Sequence, residues 1–524
     1  MILYSEKKMF KTQDIFKTMK KVLILALLII PLALSAQNKM QEKADKNFKK
    51  FNFEKALQQY LKMEATGVSK YHATRRIADC YRLLNMPVLA TEWYQKAVEY
   101  PDVEAETYYL LGLSLRILKR YDESEGYMSR YYSLTRTKPM QRGLSLEDYL
   151  NFITYDSTRV TITNLGINTK YSEFGPALWK NQLVFTSNRP KDEFIKYIDS
   201  RNNKPFFNVF SAPLNNLTNN KKTTLFLPFT NTKYNSGPGC FSSDENAFYI
   251  SYNTATDQSK KSELDIAMIR FRNGKWEKNT SNLPLKLKGF SIAHPSISPD
   301  DERLYFVSDM PGGYGGMDIY YSERRGGFLS QPINLGPTIN TPGDELFPYI
   351  SADGKLFFTS NGHPGLGGLD IYVALPIEGG KFSEPFNLGP GINSSYDDFS
   401  IVFEPEGDAG YFASNRPGGK GEDDIYFFEM VKPLKFTYIS GVIINKETKQ
   451  PEADVQITVT LGNGTLVASF QSAANGAFNI HLINDEYYKF TFRKRMMEPV
   501  EKEYTPSQLA GFSKINVTIE MENR

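Results

Sequence analysis

The sequence predicts a multidomain chain made of an all-α solenoid, a five-bladed β-propeller and a small β-sandwich. Three observations predict it: a 34-residue repeat of small and aromatic residues over 40–135, a 52–64-residue repeat of short strands over 158–430, and a separate set of alternating strands over 434–524. Length agrees, since 524 residues at about 150 per domain make three to four domains. Hydrophobic residues at 41% supply several cores and exclude wholesale disorder. A net charge of +3 argues against a general nucleic-acid binder, whose affinity comes from phosphate neutralisation. The two cysteines, Cys80 and Cys240, are too few for a disulfide framework or a four-ligand zinc cluster. With only four histidines besides, no metal or other cofactor is expected.

At the N-terminus, Met19-Lys20-Lys21 precedes an apolar run from Val22 to Leu34, followed by Ser35-Ala36. The run is shorter than the roughly 20 residues of a membrane span and contains Pro31. Basic start, short apolar run and small-residue exit read as a secretory signal peptide over 1–36, cut after Ala36, with Met19 as an alternative initiator. No cysteine stands at the exit to accept a lipid, so the mature chain is expected to be exported and soluble.

The helical region is placed at 40–156. Ala44, Ala78 and Gly112 are 34 apart, as are Ala56, Ala90 and Ser124, and Tyr60, Tyr94 and Met128. Small residues at two fixed points, with a large residue four after the second, describe two antiparallel helices packed closely where the small residue sits. This resembles the tetratricopeptide repeat, with Leu111-Gly112, Leu115 and Tyr121 as the best local match and Pro87 as a departure. Cys80 falls on a first helix as a small buried residue. The resemblance implies a concave groove lined by Lys49, Arg75, Asp79, Arg82, Tyr109 and Arg116; four basic groups among the six suggest an acidic segment as ligand.

In the strand-rich region, 158–430, three units align: Ile297–Asp309, Ile350–Asn361 and Phe403–Asn415. Each is a strand, an Asp/Gly turn and a second strand. A Pro/Gly loop and a third strand follow, opening with Asp318-Ile319-Tyr320, Asp370-Ile371-Tyr372 or Asp424-Ile425-Tyr426. Fourth strands end in Asn334-Leu335-Gly336 or Asn387-Leu388-Gly389, and two degenerate units precede these. Repeated four-stranded units make a propeller, and these resemble the TolB/WD40-like family of exported bacterial proteins. Asn164-Leu165-Gly166 ends an orphan strand, while the last unit lacks its fourth; pairing them closes a ring of five.

Alternation puts the long loops on one face. It carries Asn188, Arg189, Tyr234, Tyr314, Asp344, Glu345, His363, Asp397, Asp398 and Arg416 as candidate contacts. The recurrent strand-three aspartates read as loop hydrogen-bond acceptors. Catalysis is not expected. The innermost strands, read as Ala177–Trp179, Gly239–Phe241, Ser296–Ser298, Tyr349–Ser351 and Ile401–Phe403, hold no Asp or Glu, and no G-x-S-x-G pentapeptide occurs. Gly312–Gly316 resembles a calcium nonapeptide only until its aspartate, which falls one place late at Asp318.

The last region, 434–524, reads as a β-sandwich with strands near 438–443, 455–459, 475–480, 488–492 and 515–519. Gly441-Val442, Pro451, Val455 and Gly476-x-Phe478 resemble the carboxypeptidase regulatory-like domain, a spacer or docking unit. Taken in order, the modules resemble the PorE-type proteins of the Bacteroidota type IX secretion and gliding apparatus. That resemblance implies a periplasmic scaffold or adaptor, peripherally associated with the outer membrane and binding a PorP/SprF-type membrane barrel and other secretion components. Members usually continue into an OmpA-like peptidoglycan-binding domain; none is seen before Arg524, so direct cell-wall anchoring is not expected. The alternative is a soluble periplasmic ligand- or glycan-binding propeller protein. An acidic funnel with exposed aromatics would favour it, and a partner-sized patch would favour the scaffold.

Overall fold

The computed structural model describes residues 38–524 except 68–69, 137–142, 191–197, 200–203, 216, 219–221, 228–234, 254–262, 279–280, 286–288 and 327. The signal-peptide reading and Tyr234 lie outside the described residues. The chain forms two compact units that divide at Leu111/Gly112. No helix among the described residues is long and apolar enough to cross a membrane.

The first unit is helical: α1 (residues 38–49), α2 (Phe53–Ala65), α3 (Lys70–Leu83), α4 (Pro87–Ala97) and the start of α5 (Ala105–Ile117). In α2 the buried residues Ala56, Leu57, Tyr60 and Met63 recur at helical spacing, with Glu54 in the first turn and Lys62 in the last, both favourable to the helix dipole. They pack with Ala44, Ala73, Ile77 and Cys80 in one core. The 34-residue spacing reaches the hydrogen bonds. Tyr60 donates to Asp45 at 2.6 Å, and 34 residues on Tyr94 donates to Asp79 at 2.7 Å. It also reaches the backbone, since Phe51, Asn85 and Lys119 are left-handed at φ 60°, 56° and 59°. Pro87 opens α4 at a position whose N–H would be unpaired anyway.

The second unit begins with the rest of α5, α6 (Tyr121–Thr135) and α7 (Leu146–Ile153). Gly112 approaches so closely that a Cβ there would lie 2.9 Å from Met128 Cγ, and Ser124 Oγ donates to the Gly112 carbonyl at 2.8 Å. Helix α7, capped by Ser145, departs from its expected place in the helical region: Leu146, Tyr149, Leu150, Phe152 and Ile153 bury themselves in the sandwich core, together with Leu366 of the propeller.

Five antiparallel sheets follow, and their first strands are Glu173–Trp179, Ser236–Phe241, Ile292–Ile297, Glu345–Ile350 and Asp398–Phe403. Each of these strands neighbours the next and the last neighbours the first, which makes a closed ring, a β-propeller. Val160–Asn164 supplies the fourth strand of the last blade, paired antiparallel with Asp424–Met430. The recurrent residues explain the clasp. Asn334, Asn387 and Asn164 donate to Asp318, Asp370 and Asp424 at 2.8, 2.9 and 2.8 Å. Asn340, Asn393 and Asn168 pair with the backbone of Ile319, Ile371 and Ile425. The N-terminal strand thus brings the last blade the same clasp that its neighbours carry.

The C-terminal sandwich stacks a sheet of Ala477–Ile483, Phe436–Asn445 and Lys514–Met521 on one of Leu466–Gln471, Gln456–Leu461, Tyr488–Arg493 and Val500–Tyr504. Leu466–Gln471, Val500–Tyr504 and the short helix α8 (Pro506–Ala510) add to the strands expected from sequence. Alternating Ile457, Val459 and Leu461 face its core.

Candidate functional site

The first strand of every blade is interrupted by a bulge in which two residues oppose one. Its left-handed residue is Gly175, Gly237, His294, Phe347 or Ser400. Proline follows in four of the five, as Pro176, Pro238, Pro295 and Pro348. Proline has no N–H to offer a ladder, so it sits where the pairing is already broken.

These bulges floor an axial cavity of about 360 Å³. Its walls include Leu178, Cys240, Ile297, Tyr349, Ile350, Val402 and Phe403, and its rim includes Ser243, Glu245, Pro299 and Ala352. All four rim residues stand in hairpin turns, so the funnel opens on the tight-turn face, opposite the long loops expected to carry binding. Beyond the floor an aromatic plug closes the axis. His294 stacks on Phe347 at 3.9 Å, Phe347 meets Phe399 at 5.2 Å, and Phe174 bridges Phe399 and Phe207 at 6.0 and 5.2 Å.

The funnel is neutral, not the acidic one expected of a ligand-binding propeller, which confines that reading to uncharged ligands. Among the described residues that line the funnel, Glu245 is the single carboxylate and stands at the rim. Burial pushes the His294 imidazole down to about 3, so it is uncharged, and its Nδ1 accepts the Phe347 N–H at 3.3 Å. Ser400 Oγ accepts the Gly175 N–H at 3.1 Å and Ser296 Oγ the Ile350 N–H at 3.2 Å, and both side chains line the cavity. Burial pushes the Cys240 thiol up to about 12 and keeps it protonated. Among the described residues no group of three or more His, Cys, Asp and Glu could hold a metal.

Most loop-face candidates are internal ties. Asn188 is buried and its Oδ1 accepts the Ser172 N–H at 2.9 Å. Arg189 is buried against Glu173 at 2.9 Å, and half-buried Arg416 pairs with buried Asp398 at 2.5 Å. His363 is buried, bonded through Nε2 to the Ile339 carbonyl at 2.8 Å, and burial pushes it down to about 4. Asp344 and Asp397 each accept a backbone N–H, from Met317 and Leu369, both at 2.9 Å. Among the described members of this set, Tyr314 alone is well exposed, at 49%.

The groove expected on the helices is corrected likewise. Arg75 is buried and paired with Glu104, and with Glu106 at 2.6 Å, so acidic residues of the same unit already neutralise it. Asp79 is buried under Tyr94 and Arg76, Tyr109 is buried, and Arg82 is half-buried with its Nε on Tyr94 Oη at 3.3 Å. Arg116, in the second unit, is buried and donates to the His363 carbonyl at 3.1 Å. Lys49 alone of the six is fully exposed.

The inner strands do carry carboxylates, contrary to the sequence reading. The bulges lengthen them at their start, and Glu173, Glu345 and Asp398 open three of the five, all fully buried. Glu173 accepts from Thr169, Ser187 and Arg189; Glu345 accepts from Thr341 and Ser360 at 2.6 Å each, without an arginine. Gly362 stands where Arg189 and Arg416 stand in their blades, and a Cβ there would lie 1.7 Å from Thr341 Oγ1. Burial pushes Glu345 up to about 8.

No family model and no curated protein matches this chain. Among solved structures it is similar to TolB from Acinetobacter baumannii, at 12% identity over 58% of this chain and 58% of that one, with a TM-score of 0.28. It is also similar to a gluconolactonase from Xanthomonas campestris, at 13% identity over 52% and 95% with a TM-score of 0.31. A xylan β-1,4-xylosidase from Bacillus halodurans gives 10% identity over 68% and 95%, with a TM-score of 0.34. These similar structures include enzymes, and the expectation that the chain is not an enzyme is corrected on its own ground: the inner-strand carboxylates whose absence it invoked are present as Glu173, Glu345 and Asp398. At these scores the likenesses assign no activity to this chain.

Proposed function

We propose that this chain is an exported ligand-binding β-propeller protein whose axial funnel takes a small, uncharged ligand with an apolar body. One observation carries the reading: a concave axial cavity with a neutral apolar wall and two serine hydroxyls, Ser296 and Ser400, in its lining. Its 360 Å³ lies near the lower end of the roughly 300–1,000 Å³ of small-molecule sites. Charged ligands would lose their hydration without a partner inside.

The test is a thermal-shift and calorimetric screen of neutral small molecules, sugars included, against the chain and an Ala352→Trp variant that caps the mouth from an exposed turn. A ligand in the funnel stabilises the chain and fails with Ala352→Trp. A ligand bound equally by both chains would overturn the reading.

A second reading, the outer-membrane scaffold of type IX secretion or gliding, rests on the module order and on one further observation. A cleft of about 1400 Å³ lies between the fourth blade and the sandwich, lined by Ile377, Phe382, Tyr438, Phe470, His481 and Phe512, and its size suits a protein segment. Pull-down of the native complex in mild detergent tests it: recovery of a PorP/SprF-type barrel would support it, and purification alone would count against it.

A further inference from the structure

The helical unit has an edge whose composition its own packing does not explain. The turn between α1 and α2 and the turn between α3 and α4 come 34 residues apart, at left-handed Phe51 and Asn85. Helices α2, α3 and α4 pack in sequence as antiparallel neighbours, so both turns emerge at the same end of the array. Turns at a protein surface are ordinarily polar, yet here Phe51 is 40% exposed, Leu83 40%, Met86 46%, Val88 55% and Leu89 38%. Around the first turn Lys49, Lys50 and Lys55 are exposed, against the single carboxylate of Glu54.

We propose that this edge docks on an anionic lipid surface, with the apolar turn residues entering below the headgroups and the lysines pairing with lipid phosphates. Two features favour a membrane over a protein partner. The apolar side chains sit on protruding turns, where a flat deformable phase can receive them. The cations beside them complement an anionic surface, and apolar insertion combined with basic flanks is what holds peripheral proteins to such membranes. This site is independent of the funnel, since every residue in it belongs to the helical unit.

The experiment is co-sedimentation with vesicles of phosphatidylcholine alone or of phosphatidylcholine and phosphatidylglycerol in two-to-one ratio. Chains beginning at Gln37 are used, so that the apolar run Val22–Leu34 contributes nothing. The chain should partition onto the phosphatidylglycerol vesicles and be weakened by high salt. A Val88→Asp/Leu89→Asp double variant should bind at least tenfold more weakly. Both substitutions fall in the first turn of α4, where a carboxylate favours the helix dipole, so folding is preserved and helical circular dichroism verifies it. Met86→Asp, just outside the helix, gives the same readout if the double variant does not fold. Lys49→Glu/Lys50→Glu should remove the preference for anionic vesicles. Failure of the wild-type chain to sediment, equal binding by well-folded variants, or capture of a protein through this edge without vesicle binding would each overturn the proposal.

Discussion

Replacing Arg159 with methionine should loosen the ring at its seam. Arg159 stands immediately before the closing strand Val160–Asn164 and is buried. Its guanidinium donates to Asp485 at 3.1 Å, to Glu486 at 3.0 Å and to Tyr155 Oη at 3.0 Å, and its carbonyl accepts the Val431 N–H at 2.9 Å. One side chain thus ties the closing strand to a loop of the sandwich and to the end of α7. Methionine keeps most of the aliphatic stem and removes every charged contact. Breaking a buried ion pair costs about 3–5 kcal/mol when the partner charges are stranded. Here Asp485 and Glu486 keep 33% and 18% of their side-chain surface exposed, so water recovers part of the loss. About 2–3 kcal/mol remains, or roughly 30- to 150-fold in the opening equilibrium. Because a chain of several domains does not unfold in one step, native-state amide exchange is the suitable assay. Exchange at Val160–Asn164 and at its partner strand should accelerate by that factor while the second blade is unaffected. Arg159→Lys, which keeps charge but loses the planar fork, should fall between. An acceleration below about threefold in the methionine variant would refute the reasoning.

Two further outcomes follow from buried charges. Burial pushes Asp370 and Asp423 up to about 7 and Glu345 up to about 8, so the folded chain holds protons that the unfolded chain, with ordinary carboxylates, releases. The share of stability that these three carboxyls contribute is therefore full below the ordinary carboxylate range and is lost as pH rises through 7 and 8, opposite in sign to the share of the buried neutral His294 and His363, which is lost on acidification; thermal midpoints at rising pH, wild type against Glu345→Gln, measure it, and the variant should flatten the upper part of the fall. Arg75→Glu should destabilise the helical unit by about 1–2 kcal/mol, because it places a third carboxylate beside Glu104 and Glu106, whose side chains keep 59% and 64% of their surface exposed, so that water screens much of the repulsion; a helical melt unchanged from wild type would count against the pairing.

The legible parts of this fold are those in which identical neighbours force identical residues. Ala56, Ala90 and Ser124 recur because three helix crossings need a small side chain, and all three are fully buried. Asn164-Leu165-Gly166 betrayed the ring closure because the clasp on a strand-three aspartate demands the same asparagine whichever end of the chain provides it. The burial of Arg75 was hidden because its partners lie 29 and 31 residues away, Glu104 just before α5 and Glu106 in its first turn, a separation that no local pattern reveals. The loop-face residues misled for a related reason: polar side chains at blade junctions satisfy backbone groups of the next blade, and composition does not distinguish that from waiting for a ligand. The bulges had a signal that went unread, since proline recurs at the same point of four inner strands. Reading them as uninterrupted short strands displaced Glu173, Glu345 and Asp398 from the inner strands, and with them the argument against catalysis.

The closing strand also sets an order of assembly. Asn164 and its partner Asp424 are 260 residues apart. An exported chain emerges N-terminus first, so the strand that seals the ring appears well before the blade it completes and waits for it. During that wait it is an unpaired edge beside four blades that cannot close, and the sandwich loop that will grip Arg159 is made later still. The ring is thus sealed last by its earliest strand, and the interval before sealing is the stage of this chain's life most open to mispairing with a second copy.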